Sequence, residues 1–288
     1  YFATALKETG SAALVMANSA SDAGNSEYEI RKSMIEKGII KQMVTLPSNM
    51  FSTVTLPATL WFFDKQKCST QKKDEILFID ARNVFTQVDR AHRKFSDEQI
   101  KNLGIITRLY EGDTKAFEDL ICEYQTNVDL AKTNHDYAVE AENDSFTSFY
   151  PEYEKQMKGK KNGEKELAQC IARHRQILEI IEYEYKETTE YFTAQINWLK
   201  ERFPEGKYQD VIGLCKVAKL EGEDGIIDQD YSLNPGRYVG VVIEDDGMTE
   251  KEFKDTMLSM NDELLKLNAD ARNLESEISR NLKELFGE

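Results

Sequence analysis

No stretch of the chain approaches the roughly 18 consecutive apolar residues of a membrane-spanning helix, so neither a spanning segment nor a membrane partner is expected. No basic start followed by an apolar core opens the chain, so no signal peptide is visible. Cysteine is scarce and scattered: Cys68, Cys122, Cys170 and Cys215 form no Cys-x-x-Cys pair. That pattern indicates neither a zinc site nor a disulfide framework, and it makes a reducing cytoplasm the expected location. A glycine-rich phosphate loop, Gly-x-Ser-x-Gly and His-Glu-x-x-His are all absent. The three histidines, His92, His135 and His174, lack ligand-like spacing and read as surface residues, so no metal is expected. Positive charge is in deficit, with 37 Lys and Arg against 52 Asp and Glu, a net charge of −15. Phosphate contacts draw on Lys and Arg, which argues against a free-standing DNA-coating protein. A DNA enzyme whose basic surface sits on a partner stays open.

The 288 residues fit one large or two modest domains, and a 31% charged fraction points to long exposed helices. Tyr1–Glu8 reads as the end of a helix stopped at Gly10, and a helix already under way at a non-Met residue suggests a fragment of a longer chain. Ser11–Ala17 reads as a buried strand, and Glu27–Lys37 as a helix stopped at Gly38. Ile39–Leu46, Thr55–Asp64 and Glu75–Asp80 read as further strands, the last two forming an antiparallel hairpin at a sheet edge. Apolar strands alternating with helix predict an α/β sheet covered on both faces, here half of a doubly wound domain whose other half is expected upstream.

Beyond residue 95 the pattern becomes mostly α. Ser96 and Gln99 form a capping box, and Thr114–Tyr124 is a helical stretch. Residues 127–151 are polar, rich in Asn, Asp, Ser and Thr, and Lys155–Lys165 reads as a basic solvated turn or loop. Glu166–Phe203 reads as one long helix before Pro204. Residues 208–243 are compact and turn-rich, with Asn234-Pro-Gly236 as a strong turn. Thr249 caps a final helix to Leu285, in which Phe253, Met257, Met260, Leu264, Leu267, Ala271, Leu274 and Ile278 follow the 3.5-residue step of a coiled-coil seam. The seam has two open readings: contact with a partner's helices, or packing on the 166–203 helix.

The sharpest local feature is Leu46-Pro-Ser-Asn-Met-Phe51-Ser-Thr-Val-Thr-Leu-Pro57, a loop with an aromatic between two prolines. Phe51 is either a core residue folded back or an aromatic platform for a base, a stack worth about 1–3 kcal/mol. Ala13-Leu-Val-Met-Ala-Asn18, Glu29–Glu36, Val44–Phe51 and Leu56–Phe63, in that order, resemble the second half of the DNA adenine N6-methyltransferase subunit of type I restriction–modification systems. Leu214–Ala218 and Asp230–Val239 are similar to that family's tail signature. The resemblance covers both ends of the chain and is weakest over about residues 125–165.

The resemblance implies a partial Rossmann-like methyltransferase sheet over residues 1–95. A helical region over 96–205, a turn-rich tail segment over 206–247 and a subunit-contact helix over 248–288 follow. It implies that Phe51 stacks on a flipped adenine and that Asn18 lies near the cleft, although Asn18 reads equally well as a strand-end turn residue. Glu29 and Arg31 are expected to be structural, and Asn234, Gly236, Arg237 and Tyr238 to fix a turn and dock the tail. The implied cofactor of the parent enzyme is S-adenosylmethionine; its loop and the family's Asn-Pro-Pro-Phe motif are absent here, so this segment alone is expected to be inactive and to hold no catalytic residue. The implied partners are the DNA-specificity subunit, met through Met260, Leu264, Leu267, Leu274 and Ile278, the restriction subunit, and double-stranded DNA. A non-catalytic helical adaptor and an anionic DNA mimic are the competing readings.

Overall fold

The computed structural model describes residues 2–51, 55–242 and 249–286. The chain divides into two units, Tyr1–Val241 and Val242–Glu288. The first unit is built on a five-stranded mixed sheet. Its strands are β1 (Ser11–Ala17), β2 (Ile40–Thr45), β3 (Ala58–Asp64), β4 (Glu75–Asp80) and β7 (Cys215–Lys219), in the spatial order β1-β3-β2-β4-β7. β3 runs antiparallel to both β1 and β2, β4 is parallel to β2, and β7 is antiparallel to β4. A small hairpin of β5 (Thr86–Gln87) and β6 (Arg93–Lys94) stands apart.

Helices cover the sheet on both faces. The short α1 (Phe2–Ala5) precedes β1, and α2 (Asn25–Glu36) follows it. With the tail residues 226–239, α2 closes one face over Met43, Trp61, Phe63, Ile76 and Phe78. On the other face α3 (Asp97–Tyr110) packs over Val44, Leu77 and Ile79, joined by the roots of α4 (Thr114–Met157) and α5 (Gly163–Arg202). β4 therefore buries alternate residues on opposite sides, which is why its sequence is apolar without a break. Tyr238 stacks on Phe78 with ring centroids 3.9 Å apart and donates its hydroxyl to the Ser232 carbonyl, pinning the tail. Arg31 is buried and donates to the carbonyls of Tyr231 and Ala23, both at 2.7 Å, so it ties α2 to the tail, the structural part expected of it.

Several sequence expectations are corrected. β3 and β4 form no hairpin; β3 turns back from β2 and lies between β1 and β2. The 65–74 connection carries β4 to the far side of β2, anchored by Lys67, whose buried ammonium donates to the Lys73 carbonyl at 2.7 Å and the Gly38 carbonyl at 3.4 Å. Burial holds the Lys67 pKa down at about 8. β1 is not a buried strand but an edge strand, half-buried on its α2 side and exposed on the other. The helical stretch that begins at Thr114 does not stop at Tyr124: α4 runs unbroken through the polar residues 127–151 with Pro151 inside. Its polar residues face solvent, and a stripe from Val128 through His135 and Phe146 to Tyr153 is half-buried. His135 and His174 are consequently not surface residues. His135 pairs with Glu182 at 2.9 Å and His174 with Glu142 at 2.9 Å across the α4–α5 seam, His174 being stacked on Phe146. The turn-rich tail also hides a strand, β7, whose five residues alternate too weakly to announce it.

The second unit is α6 (Glu250–Phe286). Its start is a capping box: the Glu252 N–H reaches Thr249 Oγ1 at 3.3 Å, and the Glu252 carboxylate accepts from the Thr249 N–H at 2.8 Å. Among the described residues no helix is long and apolar enough to cross a membrane.

Candidate functional site

β1, β2 and β4 all point the same way, so their carboxyl ends share one rim of the sheet. Ligands of open α/β sheets bind in the crevice outside such ends, where backbone ends and loops leave room. Asn18 follows β1 directly at this rim. Its Oδ1 accepts a hydrogen bond from the buried Thr59 hydroxyl at 2.9 Å, which fixes the amide against the start of β3.

The loop joining β2 to β3 rises from the same rim. Leu46 N–H donates to the Ala58 carbonyl at 2.8 Å and closes its base. Asn49 takes a left-handed φ of 62°, a conformation asparagine tolerates better than most residues. The β5–β6 hairpin braces the loop: the Arg93 N–H donates to the Asn49 carbonyl at 2.9 Å, and its guanidinium donates to Ser48 Oγ at 3.2 Å while covering the Phe85 ring. Met50 packs on the core and Phe51 is 42% exposed. The neighbouring residues 52–54 of this loop lie outside the described residues.

Farther along the rim a polar cluster joins the tail turn to three residues the sequence did not single out, Asp22, Asp80 and Arg82. Asp80, at the end of β4, is buried and holds Arg82 through both carboxylate oxygens, each 2.9 Å from Nε. That carboxylate raises the Arg82 pKa further. The tail turn Asn234–Arg237 closes over them. Asn234 Oδ1 accepts from the Gly236 N–H, and a Cβ on Gly236 would come within 2.8 Å of Arg82 Nη2, so a larger residue there would displace the guanidinium. On the β1 side Asp22 accepts from Ser232 Oγ at 2.5 Å and Asn234 Nδ2 at 3.3 Å, and lies 3.5 Å from Arg237 Nε. Asp22 and Asn234 of this cluster are 212 positions apart in sequence. The one local hint was an acid ending an apolar strand at Asp80.

The rim thus brings Asn18, the Phe51 loop and the tail signature to one end of the sheet. Met260, Leu264, Leu267, Leu274 and Ile278 line α6, in the second unit, at 55–61% exposure. A separate open groove of about 900 Å³ lies on the sheet face between β3 and α3, floored by Leu60 and Phe62. Among the described residues no group of three or more His, Cys, Asp or Glu is placed to hold a metal. Nor is there a glycine turn for a nucleotide: the single glycine between β1 and α2, Gly24, has an ordinary extended backbone.

Comparison with known proteins gives a consistent set. The family model described as N-6 DNA Methylase matches residues 1–148. The type I restriction enzyme MjaIX methylase subunit of Methanocaldococcus jannaschii is 40% identical over 102 residues, 35% of this chain and 18% of that protein. The type I restriction enzyme HindI methylase subunit of Haemophilus influenzae is 38% identical over 100 residues, 34% of this chain and 22% of that protein. The match thus spans about a fifth of these relatives' length. A solved type I restriction-modification methyltransferase subunit from Streptococcus thermophilus aligns over 81% of this chain and 27% of its own, with a TM-score of 0.39 and 16% identity.

Proposed function

The chain belongs to the N-6 DNA methylase family, and from that premise we propose that it is part of the modification subunit of a type I restriction–modification system. The whole enzyme would transfer a methyl group from S-adenosylmethionine to adenine N6 in DNA. This segment contributes the substrate side of the cleft; the Asn-Pro-Pro-aromatic motif and the cofactor loop are not among its 288 residues, so it is inactive alone. Its partners are double-stranded DNA, the specificity subunit through the α6 stripe, and the restriction subunit.

The observation that carries this reading is Phe51, an exposed aromatic on a braced loop at the strand-end rim. Rotating a base out of the duplex costs a few kcal/mol. Stacking on an aromatic offsets about 1–3 kcal/mol of that, because every base presents a π-face. Asn18 holds the floor of the cleft through Thr59, a positioning part rather than a catalytic one. The test is Phe51→Ala in the full-length enzyme assembled with its partners. Methylation should fall roughly 5- to 150-fold, as a loss of about 1–3 kcal/mol implies, with S-adenosylmethionine binding near normal. Parallel loss of cofactor binding would instead make Phe51 a core residue. The adaptor reading predicts no methylation defect at all.

A further inference from the structure

The α4–α5 hairpin takes no part in the rim described above. Its direction follows from its roots. α3 starts at the rim, directly after Arg93–Lys94, the strand that braces the Phe51 loop. It ends at the opposite end of the sheet, where the Tyr110 carbonyl accepts from Lys72 and its hydroxyl reaches Glu75, the first residue of β4. α4 then returns alongside, and Tyr124 is level with the start of α3, its hydroxyl donating to the Glu98 carbonyl and Asn102 Oδ1. On α5, Tyr191 meets Ser96 and Glu98 at that same level. Everything between Tyr124 and Tyr191 therefore projects beyond the rim that carries Phe51. At 1.5 Å per residue, Tyr124 to Met157 makes an arm about 50 Å long.

The arm is electrically polar. Between 155 and 165 its tip holds five lysines and one glutamate, whereas the rest of 126–195 holds thirteen acids and four basic residues. The tip is shaped by its backbone. Gly159 has φ 85°, the Lys160 N–H donates to the Met157 carbonyl at 3.1 Å, and a Cβ on Gly163 would collide with that same carbonyl. Lys158, Lys160, Lys161 and Lys165 are exposed, and among the described residues they form no ion pair.

We propose that this lysine tip is a second DNA contact, gripping backbone phosphates of the duplex whose base is presented at the Phe51 rim. The inference rests on the DNA-modification reading above. An acidic shaft is repelled by the duplex while the tip is attracted, so contact is confined to the far end. At 3.4 Å per base pair, 50 Å allows a contact up to about 15 base pairs from the flipped base.

The experiment compares the full-length assembled enzyme with its K158Q/K160Q/K161Q variant. Binding of a fluorescent duplex of about 40 base pairs is titrated over a salt series, with a slope of about 0.9 expected per phosphate contact. Methyl transfer to unmethylated chromosomal DNA and thermal melting are followed in parallel. The expected result is unchanged melting, weaker binding and a salt slope shallower by about 2–3; F51A, in contrast, keeps the wild-type slope. An unchanged slope in the triple variant, with the wild type methylating normally, overturns the tip contact and leaves the methylase reading standing. An unchanged slope with lost co-purification of a partner subunit makes the tip a protein contact and also overturns it. A wild-type assembly that neither binds nor methylates DNA overturns both readings.

Discussion

Tyr124 shows what one buried hydroxyl holds together. Its donor bond to Asn102 Oδ1 is 3.0 Å, and Asn102 in turn donates to Gln195 Oε1 at 2.9 Å, so one network joins α3, α4 and α5. All of Tyr124 is buried, and Asn102 nearly so. In Tyr124→Phe, Asn102 Oδ1 would be left without that donor in a dry site, at a cost of about 1–3 kcal/mol. Urea unfolding of the two proteins should differ by that amount; equal midpoints would mean water replaces the hydroxyl. None of this was legible in the sequence, where Tyr124 is the last apolar residue of a short helical stretch and its partners lie 22 and 71 positions away. Phe51, by contrast, stood out because its own neighbours, two prolines and a polar bend, mark a loop. What the sequence could not say is that Met50 takes the core position beside it.

At the level of the element, legibility followed local signals. The capping box at Ser96, the glycine stop at Gly38, with φ 69°, and the turn at Asn234 are all present, because each is decided by a few adjacent residues. α4 was misread because its helix is stabilised across a seam, not by its own propensity. The half-buried positions there are filled by His135, Glu142 and Phe146, whose partners sit on α5. The pairing of β4 was misread for a related reason: a ten-residue connection fixes neither which strand it reaches nor its sense. α6 offers the clearest prediction at this scale. Met260, Leu264, Leu267, Leu274 and Ile278 form a 3.5-residue stripe that is more than half exposed. If the stripe binds the specificity subunit, Leu264→Asp with Leu267→Asp should abolish co-purification without changing the helix content measured by circular dichroism. Retained assembly would exclude the stripe as the contact.

For the whole molecule, burial of neutral acids sets the alkaline limit of stability. Burial raises the Cys215 thiol from 9.0 to about 12, and it also raises the phenols of Tyr110, Tyr124, Tyr208 and Tyr238. Each folded pKa lies above its unfolded value, so above pH 9 the unfolded chain sheds protons that the native chain keeps. Stability contributed by Cys215 is complete below about pH 9 and is lost as pH rises toward about 12. Denaturant unfolding in that window should decline less steeply for Cys215→Ala than for the wild type, and an identical pH slope would rule the thiol out. The rim is also a whole-molecule property. Asp22, Asp80 and Arg82 meet the Asn234 turn only after the tail has crossed back over the sheet, which is why no local pattern disclosed those three. The strand order has a further consequence for how the protein behaves in concentrated solution. β1 ends the sheet with seven residues, Ser11–Ala17, that include neither a charge nor a proline, the devices by which proteins blunt an open edge. With Val15 55% exposed, β1 is a template on which a further strand can pair, whether the next strand of a wider sheet or that of a second copy.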